Sequence, residues 1–166
     1  MTRLVAQVTT GRRFALTHRD LKWPHVSEPA PLNAPAVIEA LAWAHVRDGR
    51  LLCVRPEDRD LLYVPGGKRE PGETDEEAVA RETLEEVSVV LRPGTFRLVA
   101  EIDQEAHAQP PGTRVRLVCY SAEHDGEIVP DNEIVEAVWI SHAERDQCAP
   151  AVRDLVELLH QRGELP

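Results

Sequence analysis

The chain has 166 residues, 42% of them hydrophobic and 29% charged, and a formal net charge of −10. That length fits one domain with a real hydrophobic core and leaves little room for a second. So acidic a surface repels a phosphate backbone, which argues against an extended nucleic-acid partner but leaves room for a small phosphorylated ligand bridged through a metal ion.

Residues 1–35 read as an N-terminal arm with a proline-rich connector. Leu4 to Val8 and Phe14 to Thr17 are short strand candidates, and Pro24, Pro29, Pro31 and Pro35 then break both helix and sheet ladders, so Trp23 to Pro35 is expected to be extended. Such an arm can pair with the main sheet or with a second subunit, which makes a homodimer an expectation. Met1 to Thr10 lacks the long apolar run of a signal peptide, and no run of about 18 apolar residues follows, so neither secretion nor a membrane span is expected and the cytoplasm is the default location. Cys53, Cys119 and Cys148 are odd in number and form no CxxC clip, the pattern of buried reduced thiols.

The main domain is expected over 36–166. Val37 to Val46 and Arg50 to Arg55 are apolar runs joined by Asp48-Gly49, a strong hairpin signal because both turn residues tolerate positive φ. Leu61 to Val64 reads as a short strand running into Pro65-Gly66-Gly67. Thr74 and Glu77 form a capping box for a helix extending to about Val87, with Asp75, Glu76 and Glu77 at the positive end of its dipole. Ala80, Leu84 and Val87 form a stripe expected to pack on the sheet. Phe96 to Ile102, Arg114 to Ala122 and Ile134 to Ile140 are three more strands. Val152, Leu155, Val156 and Leu159 mark an amphipathic helix over Pro150 to Gln161, opened by Pro150 and stopped by Gly163. Strands, a central helix, more strands and a final helix give an α/β fold: a mixed sheet with helices packed on it.

The chemistry concentrates on the central helix. Glu82, Glu85 and Glu86 are spaced i, i+3, i+4 and project from one face. Like charges at that spacing destabilise an isolated helix by roughly 0.2–0.5 kcal/mol per pair, and a divalent cation reverses the sign. Hard cations such as Mg²⁺ or Mn²⁺ take oxygen ligands of this kind. Arg81 adjoins the cluster and can reach Glu73, holding the preceding loop against the helix.

The spacing from Gly67 to Val89 resembles the Nudix box: glycine, five residues, glutamate, seven residues, Arg-Glu, an apolar residue, any residue, Glu-Glu, any residue, glycine, apolar. Gly67, Glu73, Arg81, Glu82, Glu85 and Glu86 match, and Val89 fills the last apolar place. Chance agreement at six such positions is on the order of 10⁻⁷ per starting point. Two positions depart. Thr83 replaces an aliphatic residue, and Ser88 replaces the glycine, so the chain must leave the helix through a left-handed residue or a longer last turn.

The resemblance implies a Nudix-type α/β/α sandwich with a central mixed sheet. It also implies a metal-dependent hydrolase that substitutes water at phosphorus in a nucleoside diphosphate-linked compound. On the same footing Glu86 is the firmest ligand for Mg²⁺ or Mn²⁺, with Glu85, Glu82 and the Gly66 carbonyl completing the set. Gly67, Glu73 and Arg81 organise the loop-helix junction. Glu82 is one candidate general base. Glu133, in the acidic segment ahead of Trp139, is favoured as an additional ligand or base, with Glu136 in reserve. Lys68 and Arg69 are read as surface cations rather than phosphate contacts.

Two other classes compete: a nucleotide-sensing module that does not cleave, and an isomerase needing a cysteine at the reacting carbon. The intact glutamate cluster favours catalysis, and Cys53 and Cys119 lie in strands without a matching motif. The seven histidines show no metal-ligand spacing and read as structural or surface residues. Phe14, Trp23, Tyr63 and Tyr120 can stack on a base but fit the core or connector better. No accessory signature names the nucleotide.

Overall fold

The computed structural model describes residues 36–166. The expected arm, its two strands and its connector lie outside them. In chain order the elements are β1 (Val37–Trp43), β2 (Val46–Arg47), β3 (Arg50–Pro56), β4 (Gly66–Gly67), α1 (Asp75–Val87), β5 (Val90–Leu91), β6 (Arg97–Glu105), β7 (Arg114–Ser121), β8 (His124–Asp125), β9 (Ile134–Ile140), a 3₁₀ turn (His142–Gln147) and α2 (Pro150–Gln161). No helix among the described residues is long and apolar enough to cross a membrane.

Asp48-Gly49 turns as its sequence requires, with φ of 51° and 72° and Arg47 paired to Arg50 across it. The hairpin is nevertheless much shorter than Val37 to Val46 suggests. The chain leaves one sheet at Ala44-His45, and β1 runs parallel to β7, from Val37 opposite Arg114 to Trp43 opposite Tyr120. The resulting sheet has the order β4-β1-β7-β6 and is mixed, since β4 and β6 run antiparallel to their neighbours. A second sheet, β2-β3-β9, is antiparallel. The expected strand at Leu61 to Val64 reduces to two isolated bridges, Tyr63 to Val54 and Leu62 to Cys148. Leu62 and Val64 are buried and serve as core rather than as a ladder.

The parallel strand and its neighbours are covered on both faces, which explains their near-continuous apolar runs. Alternate residues serve two cores. Ala42, Leu51, Cys53 and Cys119 pack with Val152, Leu155, Val156 and Leu159 of α2. Leu41, Trp43, Leu52, Val54 and Val118 pack with Ala78, Val79 and Val87 of α1. One helix on each side gives the α/β/α sandwich.

Helix α2 occupies the expected residues and buries the expected stripe. Helix α1 keeps its boundaries and its capping box but only part of its expected face: Val87 is buried and Ala80 packs against the core. Its buried residues are Ala78, Val79, Thr83, Glu86 and Val87, while Leu84 is half exposed. Thr83 is tolerated because its hydroxyl donates to the Val79 carbonyl at 2.6 Å and its methyl stays in the core. Ser88 leaves the helix in the left-handed region, φ 59°, doing with a side chain what glycine does without strain.

Candidate active site

Gly66-Gly67 and α1 build the site together. Strand β4 lies so close to β1 that a Cβ at Gly66 would collide with the Leu41 carbonyl, and its φ of 149° suits glycine alone. A Cβ at Gly67 would strike the Glu82 carboxylate. Two glycines therefore let the loop backbone pass directly over the glutamate helix, and the Gly66 N–H donates to Glu86 at 2.7 Å.

Arg81 organises the near end. Its guanidinium takes both oxygens of Glu73, at 2.7 and 3.0 Å, Glu82 at 2.8 Å, and the Lys68 carbonyl at 3.1 Å. A longer contact reaches Glu85 at 3.4 Å. The Arg81 pairing, with the Glu70 N–H behind it, holds the Glu73 carboxyl down at about 2. Glu73 is thus fixed as an anion between loop and helix. Arg69 is occupied elsewhere, pairing with Glu39 at 2.7 Å and Asp75 at 2.6 Å.

Glu86 is different. It is only 7% exposed, and its hydrogen-bond partner among the described residues is the Gly66 N–H. Burial pushes its carboxyl up to about 8, against the Gly66 hydrogen bond, and the charges of Glu82, Glu133 and Glu85 push the same way. The helical spacing places all three glutamates on one face, and that face turns inward at Glu86, with Glu82 at 16% side-chain exposure and Glu85 at 50%. These acids also crowd the C-terminal half of α1, where the helix dipole disfavours anions and the last turn carries no basic residue.

The segment from Val129 to Glu133 completes the cluster. The Val129 and Asp131 N–H groups donate to the Val87 and Glu86 carbonyls, and the Asn132 amide donates to the Glu85 carbonyl at 2.8 Å. These bonds cap the free carbonyls at the helix end and bring Glu133 near Glu86. Glu136, the reserve candidate, lies apart. It pairs with Arg55 at 2.9 Å across β3 and β9 and borders a different depression from the one Glu86 lines.

Glu86 and Gly66 line a cavity of about 210 Å³ whose walls are mostly apolar, including Ala40, Ala42, Val54, Leu117, Ala151 and Val152. Tyr63, His107, Arg59 and Gln109 supply polar groups. In sequence Tyr63 is one of four aromatics able to stack on a base but better suited to core or connector, and His107 reads as a structural or surface histidine. His107 belongs to the loop between β6 and β7, whose Pro110-Pro111-Gly112 marks a turn but names no ligand.

The donor set suits a hard cation. It consists of carboxylates, it lacks a compensating guanidinium at Glu86, and it leaves a buried acid with a raised proton affinity. Among the described residues no three His, Cys, Asp or Glu side chains already converge at ligand spacing. The cysteines offer nothing comparable: all three are buried and free, and burial pushes the Cys119 thiol up to about 12.

A family model described as the NUDIX domain matches residues 35–161. The NAD-capped RNA hydrolase NudC of Deinococcus radiodurans is 32% identical over 125 residues, which span 72% of this chain but 41% of that protein. The solution structure of the E. coli ORF135 protein superposes with a TM-score of 0.62 at 29% identity, over 80% of this chain and 94% of that one. A MutT NUDIX hydrolase from Burkholderia pseudomallei superposes with a TM-score of 0.60 at 25% identity, over 73% and 96% of the two chains.

Proposed function

The chain belongs to the Nudix family, and from that premise we propose that it hydrolyses a phosphoanhydride bond in a small nucleoside diphosphate-linked compound, such as a nucleoside triphosphate or nucleotide sugar. The reaction would use Mg²⁺ or Mn²⁺ held by Glu82, Glu85, Glu86 and the Gly66 carbonyl. The observation that carries this reading is Glu86: a buried carboxylate among acids, with no cationic side chain paired to it among the described residues, in the lining of a mostly apolar cavity.

A bound divalent cation supplies charge neutralisation at the phosphates and a more acidic water. The chain's own residues account for the rest. Gly66 and Gly67 keep the loop thin enough for phosphate to approach the helix. Arg81 and Glu73 hold that loop in register, and Arg81 restrains Glu82. Glu133 is the favoured additional base or ligand, because it lies near Glu86 on a segment bonded to the end of α1. A proton leaving the attacking water would pass to Glu133 or Glu82. The relative from Deinococcus is named for NAD-capped RNA, but a net charge of −10 favours a small nucleotide over a long RNA here.

The test is release of phosphate and pyrophosphate across a panel of nucleotides and nucleotide sugars, each with Mg²⁺, with Mn²⁺ and with chelator. Metal-dependent turnover in the wild type, lost in Glu86→Gln, is expected. Equal turnover in the variant at saturating Mg²⁺ would sink the site assignment.

A further inference from the structure

Among the polar residues of the cavity, a hydrogen bond and an ion-pair contact link three groups that none of the glutamate chemistry uses. The Tyr63 hydroxyl lies 2.6 Å from His107 Nδ1, and His107 Nε2 lies 3.4 Å from an Asp60 carboxylate oxygen. Tyr63 and His107 both line the cavity that Glu86 also lines. The three residues come from two separate loops, one between β3 and β4 and one between β6 and β7.

With a neutral imidazole, the Asp60 carboxylate beside Nε2 sets the proton arrangement. A carboxylate can only accept, so Asp60 draws the imidazole proton to Nε2. Nδ1 of the neutral ring is then a bare lone pair, and it can only accept from Tyr63. Burial holds the Tyr63 phenol above its ordinary range, so the hydroxyl keeps its proton at neutral pH. That proton is committed to His107. What Tyr63 offers the cavity is oxygen lone pairs alone.

An acceptor-only hydroxyl in a mostly apolar cavity discriminates between ligand edges. A ligand edge that brings an N–H donor makes a bond, and one that brings a carbonyl leaves two acceptors facing each other. We infer that Tyr63, with its proton locked by His107 and Asp60, is a specificity-determining residue that selects a nucleobase carrying an exocyclic amino group over its carbonyl counterpart. The inference rests on the reading that this cavity takes the nucleoside part of the substrate, with the phosphates toward Glu86. Exocyclic groups protrude furthest from the ring and meet the hydroxyl first. Tyr63 is the contact residue, and His107 and Asp60 act through it.

Binding without turnover tests this separately from hydrolysis. Dissociation constants would be measured by calorimetry, in chelator, for three amino and carbonyl pairs of nucleoside monophosphates: AMP with IMP, GMP with XMP, and CMP with UMP. The wild type should bind the amino member of at least one pair about tenfold more tightly than its mate. Tyr63→Phe should abolish that preference by weakening the amino member. His107→Phe should abolish it in the other way, leaving the amino member bound and strengthening the carbonyl member, because the freed hydroxyl can donate. Asp60→Ala, at a side chain 82% exposed and therefore safe for folding, should reduce the preference by several-fold. The proposal is overturned by no preference in the wild type, by a preference for the carbonyl member, by a preference that survives Tyr63→Phe in a folded variant, or by a His107→Phe variant that gains nothing for carbonyl members. It is also overturned if no monophosphate binds. Metal-dependent turnover lost in Glu86→Gln would then still support the hydrolase reading on its own.

Discussion

The two helices of the described domain sit on opposite sides of the sheets and obey different rules. In α2 all four residues of the sequence's apolar stripe are buried in the structure, with Ala151 beside them. In α1 an apolar residue of the expected stripe, Leu84, points to solvent, while Glu86 and Thr83 are buried. A helix that only stabilises follows hydrophobic periodicity, because nothing else decides its orientation. A helix that buries a carboxylate against its own burial cost is being held in place by its surroundings. Those surroundings are the Gly66 N–H, the Arg81 network and the bonds from Val129, Asp131 and Asn132.

The largest break in that comparison is functional. Glu86→Gln is expected to lower metal-dependent turnover by at least about 10³-fold, near 4 kcal/mol of barrier, while circular dichroism still reports a folded domain. No isosteric change in α2 should come close in an activity assay.

Next is the same truncation made in both helices. Leu155→Ala is expected to cost about 3 kcal/mol in urea denaturation, since Leu155 is fully buried among Leu51, Val152 and Leu159. Leu84→Ala, at a half-exposed site, should stay within about 0.5–1 kcal/mol. Equal losses would mean that α1 packs through the face its periodicity suggests.

A smaller effect is linked to pH. The native state holds the Glu86 proton up to about 8, whereas the unfolded chain releases it near 4.5. Between those values the native state binds more protons, so stability in chelator should fall as pH rises through the window. Glu86→Gln should flatten that slope, and Mg²⁺ should offset it in the wild type. Thermal melts at a series of pH values read this directly, and a wild type in chelator that melts higher at pH 8 than at pH 5.5 contradicts the buried-acid account.

The smallest change is at the exit of α1. Ser88→Gly places glycine where φ is 59° and is expected to raise stability by roughly 0.5–1 kcal/mol without changing turnover. A loss of activity there would show that the serine does more than turn the chain.

Local signals carried most of what the sequence shows. Asp48-Gly49, the Thr74 and Glu77 capping box, the left-handed exit at Ser88 and the bounds of α2 each depend on neighbours a few residues away. The Arg81 to Glu73 pairing was also legible, because both ends sit on one loop and helix. Features set by distant pairing were not. Val37 to Val46 contains no mark of the break at Ala44-His45, since that break exists to give β1 a parallel partner far along the chain. His107 looked like any surface histidine, because its partners Tyr63 and Asp60 reach it only through folding. Which glutamate would be buried was likewise decided by the sheet beneath α1 and not by helical spacing.

The parallel pairing of β1 with β7 has a consequence for how the site comes into being. Strand β1 is among the first made of the described residues, yet the edge that β7 covers stays open until Arg114 to Ser121 have been synthesised. Pairing strands so far apart is slow, because loop closure comes before any contact rewards it. A nascent chain that has finished α1 therefore carries its glutamates on a helix with half a sheet behind it. The pocket beside Glu86 is a late event in folding, completed when β7 docks and α2 brings Ala151 and Val152 to close the wall.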